Sequence, residues 1–501
     1  MNKPYDVVIV GAGLGGLLCA VMLAKEGMHV AVIEQNKQIG GCLQTFSFDK
    51  KAFDSCVHYI GGLDEGQTQR RIFDYVGITA SLPFKKLDTD CFDEIVFGDS
   101  PATYAHAQGF DNFKEQLLRS FPAAAKELDN YIALLKRVGD SFPLFKLRQG
   151  SADEKLPVSS LELTSTLQAT ISDPLLRNVL CGNSLLYAGD SSTTPFYVHA
   201  LVLQSYIESA WKCDGGSSQI SKALWKKLQE YGGEIIRSEK VVALQGNAGL
   251  ITKAVTESGN VYEGKQFIAN VHPAMVVDWL DESLIKNAYR KRIKSARNSV
   301  SAFMVNIVLQ PGKLRYENSN IYWNADDALT AVNSCTSGFS NYALYFTEDK
   351  LHPGYVDTVA VLTYMNAAET NRWNDTENRT AAPANRGIDY DDFKAAKTEA
   401  LLQLVAQRYP GISQYVSSYR TATPLTFRDY MGSPDGSMYG IITDVHNPDI
   451  TRVPVRTKIP NLLLTGQNIN LHGVLGVSVT AVATCAELLG MEYLLSKINN
   501  V

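Results

Sequence analysis

Residues 5–41 hold the residue types and spacing best suited to chemistry. Gly11, Gly13 and Gly16 form a G-x-G-x-x-G turn, Glu34 follows at the end of the next apolar run, and Gly40-Gly41 come soon after. The first glycine permits a tight turn, and the second lets an anionic ligand approach the backbone. The third lets a helix lie close to the strand before it. N–H groups at the start of that helix, around Leu14, Gly15 and Gly16, then point at a pyrophosphate. Glu34 stands where a carboxylate accepts ribose hydroxyls, which requires an unphosphorylated adenosine ribose. Strand 5–10, helix 14–25 and strand 28–33, in that order around the turn, predict dinucleotide binding; NAD and FAD fit this stretch equally.

The elements that must position this turn extend along the whole chain. Residues 63–150 read as largely helical with loops, with helices at 112–120 and 123–138, and helices continue through 151–214. After the Gly215-Gly216 break comes a helix at 221–231, then strand-like runs at 233–244, 251–257, 260–270, 301–309 and 356–364. Residues 366–390 read as an exposed polar loop and 390–407 as a helix. The end repeats the opening logic: strand 462–464, turn Thr465-Gly466-Gln467, and helix 473–489, rich in small residues. The C-terminal copy serves the first only if the chain returns to it. One discontinuous cofactor domain (1–75, 215–300 and 420–501) is therefore expected, with a substrate domain (76–214 and 301–419) inserted.

Composition narrows the class. The 501 residues, 45% apolar and 20% charged, are ordinary for a globular enzyme. A net charge of −5 and the lack of a dense Lys/Arg run argue against a nucleic-acid partner. Lys136, Arg137, Lys146 and Arg148 read as a solvated helix face. The eight cysteines show no C-x-x-C spacing and the eight histidines no H-E-x-x-H pair, so buried thiols and no metal are expected. Residues 7–24 and 461–486 are apolar stretches that mimic export or membrane signals. Glycines in the first, and Gln467, Asn468, Asn470 and His472 in the second, assign both to a globular fold. The cytoplasm is the default compartment, and the sequons at Asn374 and Asn378 are incidental matches.

The full set of motifs resembles the phytoene desaturase and flavin amine oxidase superfamily, which keeps Gly-Gly after the ribose carboxylate and closes with a glycine-led helix under the flavin. Within it, the retinol saturase group is most similar. The residues that carry this likeness include Glu34-Gln35, Gly40-Gly41-Cys42, His58-Tyr59-Ile60-Gly61, Gly215-Gly216-Ser217-Ser218, Gly436-Ser437-Met438-Tyr439-Gly440 and Leu464-Thr465-Gly466-Gln467. They span the chain from residue 5 to about 490. Many members carry Arg after the Gly-Gly pair, whereas Cys42 stands here, which turns the reading from amine oxidation towards polyene chemistry.

The resemblance implies an α/β fold with a discontinuous Rossmann-like FAD-binding domain and an inserted α+β substrate domain. It implies non-covalent FAD; the reductant is left open between NAD(P)H binding transiently and a separate redox protein. The implied reaction saturates a carbon–carbon double bond of a long apolar polyene by hydride transfer from flavin N5; desaturation or cis–trans isomerisation of a carotenoid is the alternative. Gly41, Cys42, Gly466 and Gln467 would contact the cofactor, Val241 the adenine, and the N–H groups of Gly473, Val474 and Leu475 the flavin carbonyl edge. His58, Tyr59 and His472 are the candidate catalytic groups, with plain packing the alternative for the histidines. Tyr187, His199 and Tyr439 are placed in a substrate channel by the resemblance, with a structural role as the alternative. Contact with a bilayer surface follows from the insolubility of such a substrate.

Overall fold

The computed structural model describes residues 4–334, 338–378 and 385–501. Strand Tyr5–Val10 pairs in parallel with Val30–Glu34 on one side and with Val261–Ala269 on the other. Glu234–Arg237 and Leu462–Leu464 extend this parallel ladder at its two ends. Val30–Glu34 and Leu462–Leu464 are buried along their whole length, as strands covered on both faces must be. The first half of Val261–Ala269 turns into an antiparallel meander with Leu250–Thr256 and Val241–Asn247. The chain therefore returns from residue 462 to the sheet begun at residue 5.

Helices Leu14–Lys25 and Gly473–Leu489 pack together over this sheet in one apolar cluster. Both are apolar nearly all round, as helices inside a core are. Their cysteines pack against each other: the Cys485 thiol donates to the Cys19 carbonyl at 3.8 Å.

A second seven-stranded sheet runs in the order Val416–Ala422, Ser301–Leu309, Val356–Met365, Asn341–Glu348, Asn320–Asn324, Asp93–Phe97 and Thr103–His106. Alternating residues separate its two faces. Phe303, Val305 and Leu344 pack towards helix Ile388–Arg408, whereas Met304, Tyr322, Tyr345 and Leu362 face the interior. A helical layer that includes Ala125–Ser141 and Phe196–Glu208 closes the side with its own core.

Two expectations change. Residues 84–106 are not helical but supply strands Phe84–Lys86, Asp93–Phe97 and Thr103–His106. Their partners are remote, since Asp93–Phe97 lies parallel to Asn320–Asn324 and Phe84–Lys86 opposes Ala210–Cys213. Within the expected polar loop, Ala367–Trp373 is a short 3-10 helix that buries Thr370 and Trp373; residues 379–384 lie outside the described residues. The described cysteines are free thiols, and Cys335 lies outside the described residues. No helix among the described residues is long and apolar enough to cross a membrane.

Candidate functional site

The ends of the first sheet and the inner face of the second line one cavity, which reaches from Gly11 and Glu34 to Tyr345 and Leu362. Its first half is built of backbone. Gly11 has φ +98°, and its N–H donates to the Ile33 carbonyl at 2.8 Å. A Cβ on Gly16 would stand 2.1 Å from the Gly11 carbonyl, so this turn closes only around glycine. Gly13 precedes helix Leu14–Lys25, whose first turn has neither a side-chain cap nor an acidic residue. Its N–H groups stay available for an anion. Gly40 bridges to Gly13, and a Cβ on Gly41 would reach 3.2 Å from the Gly13 Cα.

Glu34 is buried, and burial raises its pKa. One oxygen accepts the Ala12 N–H and the other the Asn36 N–H, both at 2.8 Å. A carboxylate has about four acceptor positions, so capacity for ribose hydroxyls remains. Gln35, Cys42, Val241, Gly466, Gln467, Gly473 and Val474 also line the cavity. The Leu475 side chain instead packs against the first core. Its backbone still belongs to the first turn of Gly473–Leu489, which likewise lacks a side-chain cap and an acidic residue. Gly473 has φ +75°, and a Cβ there would meet open space, so the cavity has room beside this turn.

Asn270, missed in the sequence, joins the two glycine turns. Its Nδ2 donates to the Gly11 carbonyl at 3.2 Å, and its Oδ1 would stand 2.6 Å from a Cβ on Gly466. Its position one residue past strand Val261–Ala269 was the available signal.

The second half of the cavity is apolar and aromatic, with Met304, Leu362, Phe427 and Met431 among its walls. His58 lines it and stacks on Tyr345 at 4.0 Å. Burial lowers the His58 pKa to about 3, and its buried Nε2 has no partner. Tyr59 also lines the cavity, and its hydroxyl lies 2.8 Å from an Asp93 oxygen and 2.8 Å from the Tyr322 hydroxyl. Tyr439 lines it too, donates to the Leu185 carbonyl at 2.7 Å and packs against the His472 ring at 4.3 Å. His472 itself sits behind Tyr439, with Nε2 3.2 Å from the Leu186 carbonyl, and burial lowers its pKa to about 4. Both imidazoles are neutral at neutral pH.

Tyr187 and His199 do not line this cavity. They lie in the helical core, where the two ring nitrogens of His199 meet the hydroxyls of Tyr187 at 2.9 Å and Tyr131 at 2.6 Å. Such a closed, buried triad holds helices together. The Gly215–Ser218 block has a local structural part: Ser217 donates its N–H and its hydroxyl to the half-buried Asp54 carboxylate at 2.7 and 2.6 Å. Among the described residues, no group of three His, Cys, Asp or Glu side chains is placed to hold a metal ion.

Residues 9–76 match the family described as NAD(P)-binding Rossmann-like domain. The fold resembles the crystal structure of an oxidoreductase from Methanosarcina mazei, with a TM-score of 0.64 and 16% identity over 95% of this chain and 99% of that one. Fold and site thus define a protein of Rossmann-like fold. Its sequence is 27% identical to the Danio rerio protein named all-trans-retinol 13,14-reductase, over 97% of this chain and 86% of the relative. It is 22% identical to a phytoene desaturase (lycopene-forming) of Pantoea ananas, over 97% of this chain and 99% of the relative. These likenesses fit the superfamily that the motifs resemble.

Proposed function

We propose that the protein is an FAD-dependent oxidoreductase acting on CH–CH groups, which saturates a double bond of a long apolar polyene of retinol or carotenoid type. The observation that carries this reading is the two-part cavity, glycine backbone at one end and methionine, leucine and aromatic walls at the other. Gly11, Gly13, Leu14, Gly15 and Gly16 would hold the pyrophosphate, Glu34 and Gln35 the ribose, and Val241 the adenine. Gly41, Cys42, Gly466 and Gln467 would flank the ribityl chain. N–H groups of Gly473, Val474 and Leu475 would face the flavin carbonyl edge, where the helix start favours negative charge. The glycine cradle, which side chains would fill, fits this group without a covalent link.

When bound, the flavin supplies the hydride. The apolar walls exclude water and align the chain of the substrate. Tyr59, which lines the cavity and whose hydroxyl is bonded to Asp93 and Tyr322 behind the wall, would give a proton by turning from them to the substrate, with His58 and His472 supporting the walls. The sequence holds no second complete G-x-G-x-x-G, so the reductant would be either NAD(P)H binding transiently or a separate redox protein. We place the protein in the cytoplasm, touching a bilayer surface from which an insoluble substrate is drawn; liposome co-sedimentation tests that contact.

The desaturase relative, matched over 97% of this chain, favours a second reading in which the same cavity removes hydrogen from a carotenoid. Anaerobic mixing of the reduced holoprotein with all-trans-retinol and a panel of polyenes separates the two. Flavin reoxidation by a polyene supports saturation. Inertness of the reduced protein, combined with bleaching of the oxidised protein by phytoene, supports removal.

A further inference from the structure

A chain of hydroxyls leaves the cavity wall and ends on a buried carboxyl group. Tyr345 and Tyr322 share a hydrogen bond of 3.1 Å, Tyr322 and Tyr59 one of 2.8 Å, and Tyr59 meets Asp93 at 2.8 Å. Tyr59 and Tyr345 line the cavity, whereas Tyr322 and Asp93 are buried behind them. The parallel pairing that sets Asn320 beside Asp93 fixes this order, and Tyr322 lies two residues farther along the same strand.

The carboxyl is surrounded for two protonation states. Asn320 donates to one oxygen at 2.9 Å and Asn183 to the other at 3.0 Å. The amide oxygens of both asparagines are buried without partners. Nitrogen and oxygen of an amide exchange places by a half-turn. Asn320, whose Nδ2 also donates to the Phe92 carbonyl at 3.4 Å, stays a donor, whereas Asn183 offers a donor to a carboxylate and, once turned, an acceptor to a protonated acid. An apolar pocket that merely packed a tyrosine has no use for such a group, since burying an unneeded charge is costly.

We propose that Asp93 is the proton store of the cavity, and that it reloads Tyr59 after Tyr59 gives its proton to substrate. This deepens the proposed saturation and rests on it. With hydride supplied to one carbon of the double bond by the flavin when bound, the Tyr59 hydroxyl would protonate the other. The C=C π bond is replaced by two C–H bonds. The Asp93 proton then moves to the Tyr59 oxygen and leaves a carboxylate, which solvent protons refill. Asp93 acts through Tyr59 and is a positioning and proton-holding residue.

The titratable groups facing Asp93 are Tyr59, Tyr206, Tyr322, Tyr345, Cys91 and Lys212, with His106 opposite it in the sheet. Lys212 donates to the Phe346 carbonyl at 3.1 Å. Burial raises Asp93 to about 6, against its bonds from Asn320, Asn183 and Tyr59 and the charge of Lys212. Asp54 is also raised to about 6 by burial, so a control must separate the two.

The test compares wild-type holoprotein with Asp93→Asn and Tyr322→Phe in two measurements. Infrared difference titration should show a protonated-carboxyl band lost with a midpoint near pH 6, partly removed in Asp93→Asn and kept in Tyr322→Phe. In steady turnover of retinol with excess dithionite, where Tyr59 must be reloaded in every cycle, the wild-type rate should fall about tenfold per pH unit above that midpoint. Asp93→Asn should be at least tenfold slower at pH 6 with a flat profile, and Tyr322→Phe should keep the midpoint. An infrared titration identical in wild type and Asp93→Asn overturns the proposal, as does an unchanged pH profile. A protein inert to every polyene contradicts the saturation reading instead, and the infrared midpoint still decides whether Asp93 stores a proton.

Discussion

Gly15 and Gly466, from opposite ends of the sequence, meet in the folded chain. A Cβ on Gly15 would stand 3.2 Å from both the Cα and the N of Gly466, and 2.8 Å from Oδ1 of Asn270. The cofactor cradle therefore depends on close backbone approach between two segments that only the completed sheet brings together.

Replacing Gly466 with alanine should damage this junction without unfolding the protein. Gly466 has φ +95°, and its new Cβ would fall 2.6 Å from Asn270 Oδ1. A strained φ of this kind costs roughly 1–3 kcal/mol, and displacement of Asn270 also frees the Gly11 carbonyl. Flavin content per protein, read from the visible to ultraviolet absorbance ratio, should fall about tenfold at limiting FAD, with the far-ultraviolet circular dichroism unchanged. Full flavin content in Gly466→Ala would contradict the assignment of this turn.

Glu34→Gln keeps the shape of the side chain but turns one acceptor into a donor that faces a backbone N–H, of Ala12 or of Asn36. Leaving a buried donor unsatisfied costs about 1–3 kcal/mol. Retention of the adenine dinucleotide should weaken by roughly 10- to 100-fold, a factor of ten for each ~1.4 kcal/mol. Isothermal titration of the flavin-free protein with FAD measures this directly. An unchanged affinity would remove Glu34 from the ribose site.

Two fully buried histidines, His106 and His199, and two partly buried ones, His58 and His472, should make the protein acid-sensitive. Burial lowers His58 and His199 to about 3, and His106 and His472 to about 4. A depressed histidine contributes stability that is present above its unfolded value of ~6.5 and is lost as pH falls towards the folded value. Asp54 and Asp93, raised to about 6 by burial, act with the opposite sign: their contribution is lost as pH rises through that value. Near pH 5 the four histidines outweigh the two aspartates, so the unfolded chain binds more protons than the folded chain from these groups and stability should rise with pH there. Thermal melts between pH 4 and 7 should show Tm rising with pH, and a flat Tm would refute the burial of these imidazoles.

The Arg386–Asp429 pair should be a stability determinant of the cavity wall. Its two side chains are 5% and 0% exposed, and Asp429 also accepts the Asn378 N–H at 2.8 Å. Asp429 lies on helix Pro424–Met431, which contributes Phe427 and Met431 to the cavity. Asp429→Ala leaves the guanidinium buried without its partner and should cost about 3–5 kcal/mol. Urea unfolding measures the loss. A loss under ~1 kcal/mol would show that water reaches the pair.

The parts of this fold legible in sequence are those encoded locally. Strand Tyr5–Val10, the glycine turn and helix Leu14–Lys25 follow from one another within a few residues, and helix Gly473–Leu489 declares itself by its small apolar residues. Strand Asp93–Phe97 was missed because its ladder comes from Asn320–Asn324 and Thr103–His106, and a short polar-rich run carries little pattern of its own. For the same reason Asp93 looks like one more surface acid among Asp88, Asp90 and Glu94; only the parallel pairing buries it. Tyr187 and His199 were placed by likeness to other sequences, yet here their polar atoms pair with each other. Sequence showed that these residues occur together but not that the turn carrying Tyr187 and the helix carrying His199 face each other.

The most direct measurement of the central claim is the mass of the product formed when the reduced, flavin-loaded protein meets a polyene under anaerobic conditions. Saturation predicts a product heavier by two hydrogen atoms, with the hydrogen given by Tyr59 carried in as deuterium when the reaction is run in heavy water. A product lighter by two hydrogen atoms, or an isomer of unchanged mass, would contradict it.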